Sequence, residues 1–360
     1  MLHILGGLDR GGAETRTMDI YRSIDKTKVQ FDFIVQTDNE CAYDNEVKSL
    51  GGIIYKGMPR FKIYNSISYF KAWDMFFQKN GYSIIHIHIT NSAVPILKAA
   101  IKNNIKHRIS HSRFANETDF VKKWLIRANK KAIRKYSTQR LAVSNLAGKT
   151  VFGKDYMVIN NAINAKKFTY DETVRDKVRN ELNIVNNFVL CHVGRFSFPK
   201  NHSFLIDIFH SLTKVLPSAK LVLIGDGELR EQTERKIEEL RISDKVLVLG
   251  LRKDVPELLH GMDMLLLPSH FEGQPGVALE AQASGLKVLL SDKITREAAV
   301  IPELTEFLPI DKGADIWVER IMNFHESGFV RRNTYNDFVN AGFDIEAVAK
   351  WYEKFYLGCV

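Results

Sequence analysis

Short apolar runs alternate along the chain with longer segments of helical period, and this alternation limits the possible folds more than any other feature of the sequence. A strand, helix, strand order predicts βαβ units and a parallel sheet. The predicted strands are residues 2–5, 31–35, 52–55, 84–89, 107–110, 140–143 and 157–159, followed by residues 188–193, 220–224, 246–249, 264–268, 287–290 and 307–308.

A polar stretch at residues 160–187, rich in asparagine, interrupts the alternation, and the strand pattern then starts again. A length of 360 residues suits two domains. We predict two Rossmann-like, doubly wound α/β domains, residues 1–162 and 163–343, and a C-terminal helix within residues 344–360. Because ligands of open α/β sheets bind just beyond the carboxyl ends of the strands, the candidate site residues are those that follow each strand.

The charge of the chain is unevenly distributed. The formal net charge of +9 resolves into +13 for residues 1–160 and −4 for residues 161–360, and residues 101–140 hold 12 basic and 2 acidic side chains. Such a stretch suggests an anionic partner, which could be a membrane surface, a nucleic acid or a phosphorylated substrate, and the alternative is a solvated helical face. Residues 120–136 predict an amphipathic helix that could lie on an anionic membrane. Its basic face consists of Lys122, Lys123, Arg127, Lys130, Lys131, Arg134 and Lys135.

Other features indicate the compartment. Cys41, Cys191 and Cys359 are far apart and form no Cys-x-x-Cys motif, which indicates free thiols in a reducing compartment. Charged residues close to the start of the chain argue against a secretory signal peptide. No apolar run approaches the roughly 18 residues that a membrane span needs. We therefore expect a cytoplasmic protein without a membrane-spanning helix.

Two loops that follow predicted strands contain groups suited to a phosphate. The loop at residues 6–14 holds four glycines before a helix, so that backbone amides could approach an anion, although a purely structural turn is the alternative. The loop at residues 194–201 contains Arg195 and Lys200, and their planar fork and point charge suit a diphosphate.

The strongest local signal lies at residues 268–281, where Glu272 follows a strand and Glu280 lies about one turn inside the next helix. Gly273 permits a tight turn, and Pro275 fits the first position of the helix. Helix-terminal amides could bind a phosphate, while the two carboxylates accept hydrogen bonds from hydroxyls. A nucleotide sugar has hydroxyls on both sides of a diphosphate and fits this arrangement.

Taken together, these residues resemble the retaining glycosyltransferases of family four, which have the GT-B fold, and most of all the capsule and exopolysaccharide members. The resemblance covers nearly the whole chain. It implies two Rossmann-like domains that face each other across a cleft, the first for the acceptor and the second for the donor, and a C-terminal helix that crosses back to the first domain. The motifs that carry it are Gly11-Gly12-Ala13-Glu14, Arg195 with Lys200, Gly225-Asp226-Gly227, Glu272 with Glu280, the run from Glu280 to Gly285, and the run from Ser291 to Thr295.

The resemblance also implies residue roles. Arg195 and Lys200 would bind the donor diphosphate and stabilise the charge that develops as it leaves. Glu280 would bind the ribose hydroxyls, and Glu272 and His111 would lie at the donor sugar, although an ordinary strand-end histidine is the alternative for His111. Further donor contacts are implied for Gly12, Gly225, Leu251, Arg252, Gly276 and Val277. Gln274 stands where the family commonly has Phe or Leu, and it bears on the identity of the donor sugar.

The implied activity is that of a retaining glycosyltransferase of the hexosyltransferase type. It would transfer a sugar from a nucleotide sugar, in our interpretation a UDP-sugar, to a lipid-linked glycan acceptor in capsular or exopolysaccharide biosynthesis. A lipid-linked acceptor suggests peripheral contact with the inner face of the cell membrane. No cofactor and no metal ion are implied, and no Asp-x-Asp motif occurs. We therefore interpret His86 and His88, which share one face of a strand, as packing residues rather than metal ligands.

Two other functions remain open from the sequence. One is a GT-B-fold epimerase that acts on nucleotide sugars, and the other is a non-catalytic, sugar-nucleotide-binding scaffold of polysaccharide assembly. Nucleic-acid binding is not expected, because no nucleic-acid-binding module accompanies the basic stretch.

Overall fold

The structure is a computed structural model that describes residues 1–113, 123–272 and 274–359, with only the backbone of Ile63 and of residues 123–128. The chain divides into two compact units. The first consists of Met1–Ala162 and Gly342–Val360, and the second is Ile163–Ala341.

The first unit contains a parallel sheet of seven strands in the order β3-β2-β1-β4-β5-β6-β7. Its strands are β1 (Leu2–Leu5), β2 (Asp32–Val35), β3 (Ile54–Tyr55), β4 (Ile84–Ile87), β5 (His107–Ser112), β6 (Gln139–Ala142) and β7 (Met157–Val158). Its helices before residue 162 are α1 (Gly12–Ser23), α2 (Asp44–Ser49), α3 (Ser66–Lys79), α4 (Ala93–Lys102), α5 (Lys123–Tyr136) and α6 (Asn145–Val151).

The second unit contains a parallel sheet of six strands in the order β10-β9-β8-β11-β12-β13. Its strands are β8 (Val189–Val193), β9 (Lys220–Ile224), β10 (Val246–Val248), β11 (Met264–Leu267), β12 (Lys287–Ser291) and β13 (Thr305–Leu308). Its helices are α7 (Glu172–Glu181), α8 (His202–Val215), α9 (Arg230–Glu239), α10 (Val255–Gly261), α11 (Gly276–Ala283), α12 (Asp315–Glu326) and α13 (Tyr335–Asn340).

The last helix, α14 (Ile345–Leu357), belongs to the first unit. Its N-cap residue Asp344 accepts a hydrogen bond from the amide of Ala347 over 3.1 Å. Tyr352 and Tyr356 are buried on its inner face. The helix therefore covers the same side of the first sheet as the residues of α1 that share its hydrophobic cluster.

The two parallel sheets confirm the predicted fold class, and all thirteen predicted strands are present. The boundaries differ from the prediction by two residues at β3, β4, β5 and β13. The strand β3 is shorter than predicted because it pairs only with Phe33 and Ile34 of the neighbouring strand. The second sheet has the Rossmann strand order, and the order reverses between β8 and β11. In the first sheet it reverses between β1 and β4. Ligand sites of such sheets lie beyond the strand ends at these switch points.

Candidate active site

Two loops of the second unit meet at its switch point, one after β8 and one after β11. The side-chain amide of Asn201 donates to the carbonyl of Pro268 over 3.0 Å, and the backbone N–H of His270 donates to the carbonyl of Pro199 over 2.8 Å. Asn201 has a φ of 56°, a backbone conformation that asparagine adopts more readily than most residues. These bonds fix the two loops against each other.

Lys200 and Glu272 are brought together by these loops. The Nζ of Lys200 donates to the Oε2 of Glu272 over 2.8 Å, and the hydroxyl of Ser269 donates to Oε1 over 2.7 Å. The two charged side chains are only 19% and 15% exposed. Ser269 was not among the predicted site residues, although a serine three residues before a strand-end glutamate is a signal for such a contact. A cation and a carboxylate thus lie side by side in a partly desolvated position.

A second residue that the sequence analysis missed is His192, in the strand that leads to Lys200. Its Nδ1 lies 2.8 Å from the carbonyl of Leu266, so Nδ1 carries the proton. Burial, and then the charge of Lys200, lower the pKa of His192 to about 3. A neutral imidazole beside Lys200 therefore adds no competing charge to the site. A histidine within an otherwise apolar strand was the available signal.

Arg195 does not join Lys200 and Glu272 in this structure. Its side chain is 74% exposed, and its Nε donates to the carboxylate of Glu228 over 3.2 Å. Such an exposed ion pair contributes little to stability and is easily exchanged for another anion.

Gly225 holds the loop after β9 against the loop after β8. A Cβ on Gly225 would lie 2.0 Å from the carbonyl oxygen of Gly194, and its φ is 141°. Only glycine fits such an approach. The N–H of Gly225 also donates to the carbonyl of Gly250 over 2.9 Å, which brings the loop after β10 alongside. The next two residues are Leu251, whose side chain is exposed, and Arg252, whose guanidinium pairs with Asp254.

The remaining predicted donor residues lie on α11. Gly276 and Val277 are its first two residues, and the partly buried Glu280 lies in its second turn. Pro275 is the residue before the helix and not its first residue as predicted, because its ψ of 122° is extended. Its carbonyl still accepts the first amide bond of the helix, from Ala278 over 3.1 Å.

Only one of the two polar atoms of the Gln274 side-chain amide has a hydrogen-bond partner among the described residues. Its Nε2 donates to the carbonyl of Glu297 over 2.9 Å, whereas its Oε1 is buried and has no hydrogen-bond partner among the described residues. A buried acceptor without a donor is costly unless a ligand supplies one. The position between Glu272 and α11 places this acceptor at the candidate donor site.

In the first unit, Gly12 is the first residue of α1 and is exposed. A Cβ there would have no neighbour within 4 Å. The first unit by itself therefore imposes no steric need for this glycine, and its predicted role toward the donor remains a prediction.

His111 lies inside β5 and not after the strand, as predicted, because β5 continues to Ser112 through pairing of His111 with Leu141 and of Ser112 with Ala142. The side chain is 1% exposed. Its Nδ1 lies 3.1 Å from the Nε2 of His86, and its own Nε2 has no partner among the described residues. Burial lowers the pKa of His111 well below 6.5, so the imidazole is neutral.

Three buried histidines of the first sheet lie close together. Within the described residues, His3, His86 and His88 place ring nitrogens within 4.8 Å of one another. The Nδ1 of His3 lies 3.0 Å from the Nε2 of His88, which is a hydrogen-bond distance. The Nε of Arg113 approaches the other nitrogen of His88 over 3.4 Å. A hydrogen-bonded cluster accounts for these contacts, and a cation beside it disfavours a bound metal ion.

The predicted basic helix corresponds to α5. Lys122 lies outside the described residues, and the side chains of Lys123 and Arg127 are not described. Among the other basic residues, Lys131 and Lys135 are exposed, and Lys130 and Arg134 are partly buried.

The described part of α5 is anchored in the first unit. Ile133 is 1% exposed and belongs to a hydrophobic cluster with residues of α4 and β6. The apolar side of this part is therefore occupied by the protein's own core, and the exposed lysines lie elsewhere on the helix. No helix in the described parts of the chain is both long enough and apolar enough to span a bilayer.

Comparison with known proteins identifies the family. The sequence model of the family described as group 1 glycosyl transferases matches residues 174–344 of this chain. EpsF of Bacillus subtilis is 32% identical over 92% of this chain and 89% of its own length. CapH, a capsular polysaccharide biosynthesis glycosyltransferase of Staphylococcus aureus, is 25% identical over 81% of each chain. An Escherichia coli UDP-Gal:α-D-GlcNAc-diphosphoundecaprenol α-1,3-galactosyltransferase is 28% identical over 52% of this chain and 50% of its own.

Among solved structures, Anabaena HepE in complex with UDP superimposes with a TM-score of 0.80 and 18% identity, over 99% of this chain and 98% of that chain. At this identity the similarity concerns the fold alone, and it confirms the predicted GT-B fold class. The match to the family model and the similarity to EpsF over nearly the whole chain show that this chain belongs to the group 1 glycosyl transferases and is a glycosyltransferase.

Proposed function

We propose that the protein transfers a sugar from a UDP-sugar to a diphosphate-lipid-linked glycan in the assembly of a capsular or extracellular polysaccharide. The transfer would retain the configuration of the anomeric carbon and would need no metal ion or other cofactor. The names of CapH and of the E. coli relative support the polysaccharide and the diphosphate-linked acceptor. The UDP complex of HepE supports uridine as the base.

The observation that carries this proposal is the contact between Lys200 and Glu272. In the donor complex, Lys200 would bind the diphosphate and Glu272 would accept hydrogen bonds from hydroxyls of the donor sugar. A cation placed beside the leaving diphosphate stabilises the negative charge that grows as the glycosidic bond breaks. Arg195 would exchange its exposed partner Glu228 for the same diphosphate, at little cost.

The other donor contacts follow from the loops and from α11. The amides of Gly276 and Val277 lie at the helix N-terminus, where the dipole and the unsatisfied N–H groups favour a phosphate or a sugar oxygen. Glu280 would accept hydrogen bonds from the ribose hydroxyls. The base would lie along Leu251 and Arg252, beside the loop that Gly225 fixes.

Calorimetric titration and a turnover assay test this function. We expect UDP to bind at least 10-fold more tightly than GDP or ADP, and the variant Glu280→Ala to weaken UDP binding. UDP should be released from one UDP-sugar only when an acceptor is added, and EDTA should not slow the reaction. Conversion of the UDP-sugar without acceptor would instead identify an epimerase, and binding without turnover in the presence of acceptor would identify a scaffold.

We also propose that the exposed lysines of α5 hold the protein against an anionic membrane surface at the cytoplasmic face. Because the described apolar side of α5 is buried in the first unit, this contact would be electrostatic. A lysine near such a surface contributes about 1 kcal/mol. Co-sedimentation with vesicles should depend on anionic lipid and weaken in the double variant Lys131→Gln, Lys135→Gln. Binding that is equal for neutral and anionic vesicles would refute the proposal.

A further inference from the structure

An open groove lies beside the candidate donor site, and all the residues that line it belong to the second unit. Its volume is about 590 Å³, within the range of about 300–1,000 Å³ that is typical of small-molecule sites. One wall follows α9 from Leu229 to Leu240, and the other is formed by the beginning of α8 with Phe198 and His270. At a rise of about 1.5 Å per residue, α9 is about 15 Å long. The groove is therefore long enough for more than one pyranose ring.

An aromatic pair joins this groove to the candidate active site. The rings of Phe198 and His270 are stacked, with centroids 4.6 Å apart and an angle of 22° between their planes. Phe198 is 65% exposed, so most of its ring remains available to a ligand. Phe198 lies two residues before Lys200, and His270 lies two residues before Glu272. The ring pair and the ion pair thus connect the same two loops, and the groove is continuous with the donor site.

The wall at the beginning of α8 is already ordered. The imidazole of His202 is 2% exposed and stacks on Phe196, with ring centroids 4.2 Å apart. The side-chain amide of Asn201 donates to the carbonyl of Pro268 over 3.0 Å. A ligand that enters the groove therefore does not have to order this wall, which lowers the cost of binding.

The α9 wall presents polar side chains of mixed character. Gln232, Arg235 and Glu239 line the groove and are exposed, and their amide, guanidinium and carboxylate offer both donors and acceptors to hydroxyl groups. Arg235 and Glu239 contribute one charge of each sign. Lys236 is already paired with Asp207 over 2.6 Å. The lysine, arginine and glutamate side chains of the groove therefore add almost no net charge, which favours an uncharged ligand over a nucleotide or a phospholipid headgroup.

We propose that this groove is a carbohydrate subsite, which binds sugar units of the glycan acceptor beyond the unit that reacts, and that Phe198 stacks on one of them. The inference rests on the proposed function, which supplies the glycan acceptor. The weakly positive C–H groups of a sugar ring pack on the negative face of an aromatic ring, while the hydroxyls bind the polar groups of α9. A lipid chain would use the rings but none of the polar groups.

Isothermal titration of the full-length protein with uncharged hexasaccharides tests this subsite. The probes are maltohexaose, cellohexaose, chitohexaose and mannohexaose, each compared with its own monosaccharide. We expect at least one hexasaccharide to bind, and its monosaccharide to bind at least 10-fold more weakly. Phe198→Ala should weaken hexasaccharide binding about 10-fold, and Phe198→Trp should retain it, because the larger ring offers the same stacking surface.

Two further variants serve as control and as independent test. Phe329 is an exposed aromatic residue of the same unit that does not line this groove, so Phe329→Ala should leave hexasaccharide binding within about 2-fold. Gln232→Ala removes a polar group from the α9 wall and should weaken binding about 3-fold. Both groove variants, Phe198→Ala and Gln232→Ala, should bind UDP within about 2-fold of the wild type.

The proposal fails if no hexasaccharide of the panel binds the wild type, or if Phe198→Ala and Gln232→Ala bind it as tightly as the wild type does. If Phe198→Ala loses UDP and hexasaccharide together, Phe198 supports the loop of Lys200, and unchanged binding by Gln232→Ala then refutes the subsite. A dimer in sedimentation velocity that dissociates in Phe198→Ala would assign the groove to a second copy of the chain and overturn the proposal. Failure of the proposed function is a separate result, because it appears as a wild type that does not bind UDP.

Steady-state kinetics distinguish this subsite from a structural role of Phe198. With a lipid-linked acceptor that carries several sugars, Phe198→Ala should raise the acceptor KM about 10-fold and leave kcat unchanged. With an acceptor that carries a single sugar, both constants should stay near their wild-type values. Equal changes for the two acceptors would contradict the proposal.

Discussion

The Nζ of Lys200 lies 2.8 Å from the Oε2 of Glu272, although the two residues are 72 positions apart in the sequence. The ion pair joins the loop after β8 to the loop after β11 at the switch point of the second sheet. Ser269 holds the other carboxylate oxygen over 2.7 Å. The position of Glu272 is therefore fixed from two sides before any ligand arrives.

The first prediction concerns this cation. Lys200→Met should lower kcat about 100-fold, because the charge of the leaving diphosphate then lacks its positioned cation. Steady-state transfer rates measure the effect. Lys236→Met is the matched control, since Lys236 is a partly exposed lysine of the same unit that pairs with Asp207 over 2.6 Å. Equal losses in the two variants would exclude a specific role for Lys200.

The second prediction concerns the glycine that fixes the neighbouring loops. Gly225→Ala should lower the free energy of unfolding by more than the roughly 1–2 kcal/mol that positive φ alone costs an alanine, because its Cβ would meet the carbonyl of Gly194 at 2.0 Å. Gly313→Ala measures the cost of a positive φ alone, because Gly313 has a φ of 84° and open space around it. Urea denaturation measures both. Equal destabilisation of the two variants would show that the loops move apart and relieve the contact with Gly194 without a cost in stability.

The third prediction concerns the choice of donor. Gln274→Leu removes the buried Oε1 that has no described partner, so the affinity for the donor UDP-sugar should fall about 10-fold. The affinity for UDP, which has no sugar, should stay within about 2-fold. Calorimetric titration of both ligands checks this. Equal weakening of UDP would mean that the substitution disturbs the site through the bond to Glu297.

The sequence predicted all thirteen strands and the loops that carry Lys200 and Glu272, because strand periodicity and strand-end position follow directly from residue order. It did not predict the network around His111. His86 reaches His111 only through the pairing of β4 with β5, and Tyr356, 270 positions away in the sequence, contacts His86 from α14. The conformation of Arg195 also depends on its contact with Glu228, which no local pattern indicates.

The fourth prediction concerns pH. Burial lowers the pKa values of His3, His86, His88 and His111 well below 6.5. In the unfolded chain these groups take up protons near pH 6.5, and in the folded chain they do not. Unfolding therefore binds protons, and stability should fall as the pH decreases below about 6.5, by up to about 1.4 kcal/mol per pH unit for each histidine.

Thermal unfolding between pH 7.5 and 5.5 measures this dependence. His3→Phe should reduce the number of protons taken up on unfolding by about one, and with it the slope of the unfolding free energy against pH. The phenyl ring should fit because His3 already packs against Phe31 and Phe33. A Tm that does not change over this range, or an unchanged slope in His3→Phe, would show that the cluster is protonated in the folded protein.

Transfer of a labelled sugar from a UDP-sugar to a diphosphate-lipid-linked monosaccharide, followed by NMR of the product, tests the proposed activity most directly. With α-configured UDP-sugars, we predict an α-linked product from one donor, formed only with acceptor and strongly reduced in Lys200→Met. A β-linked product would contradict retention. Absence of product from every UDP-sugar, together with product from a GDP- or ADP-sugar, would contradict the proposed donor.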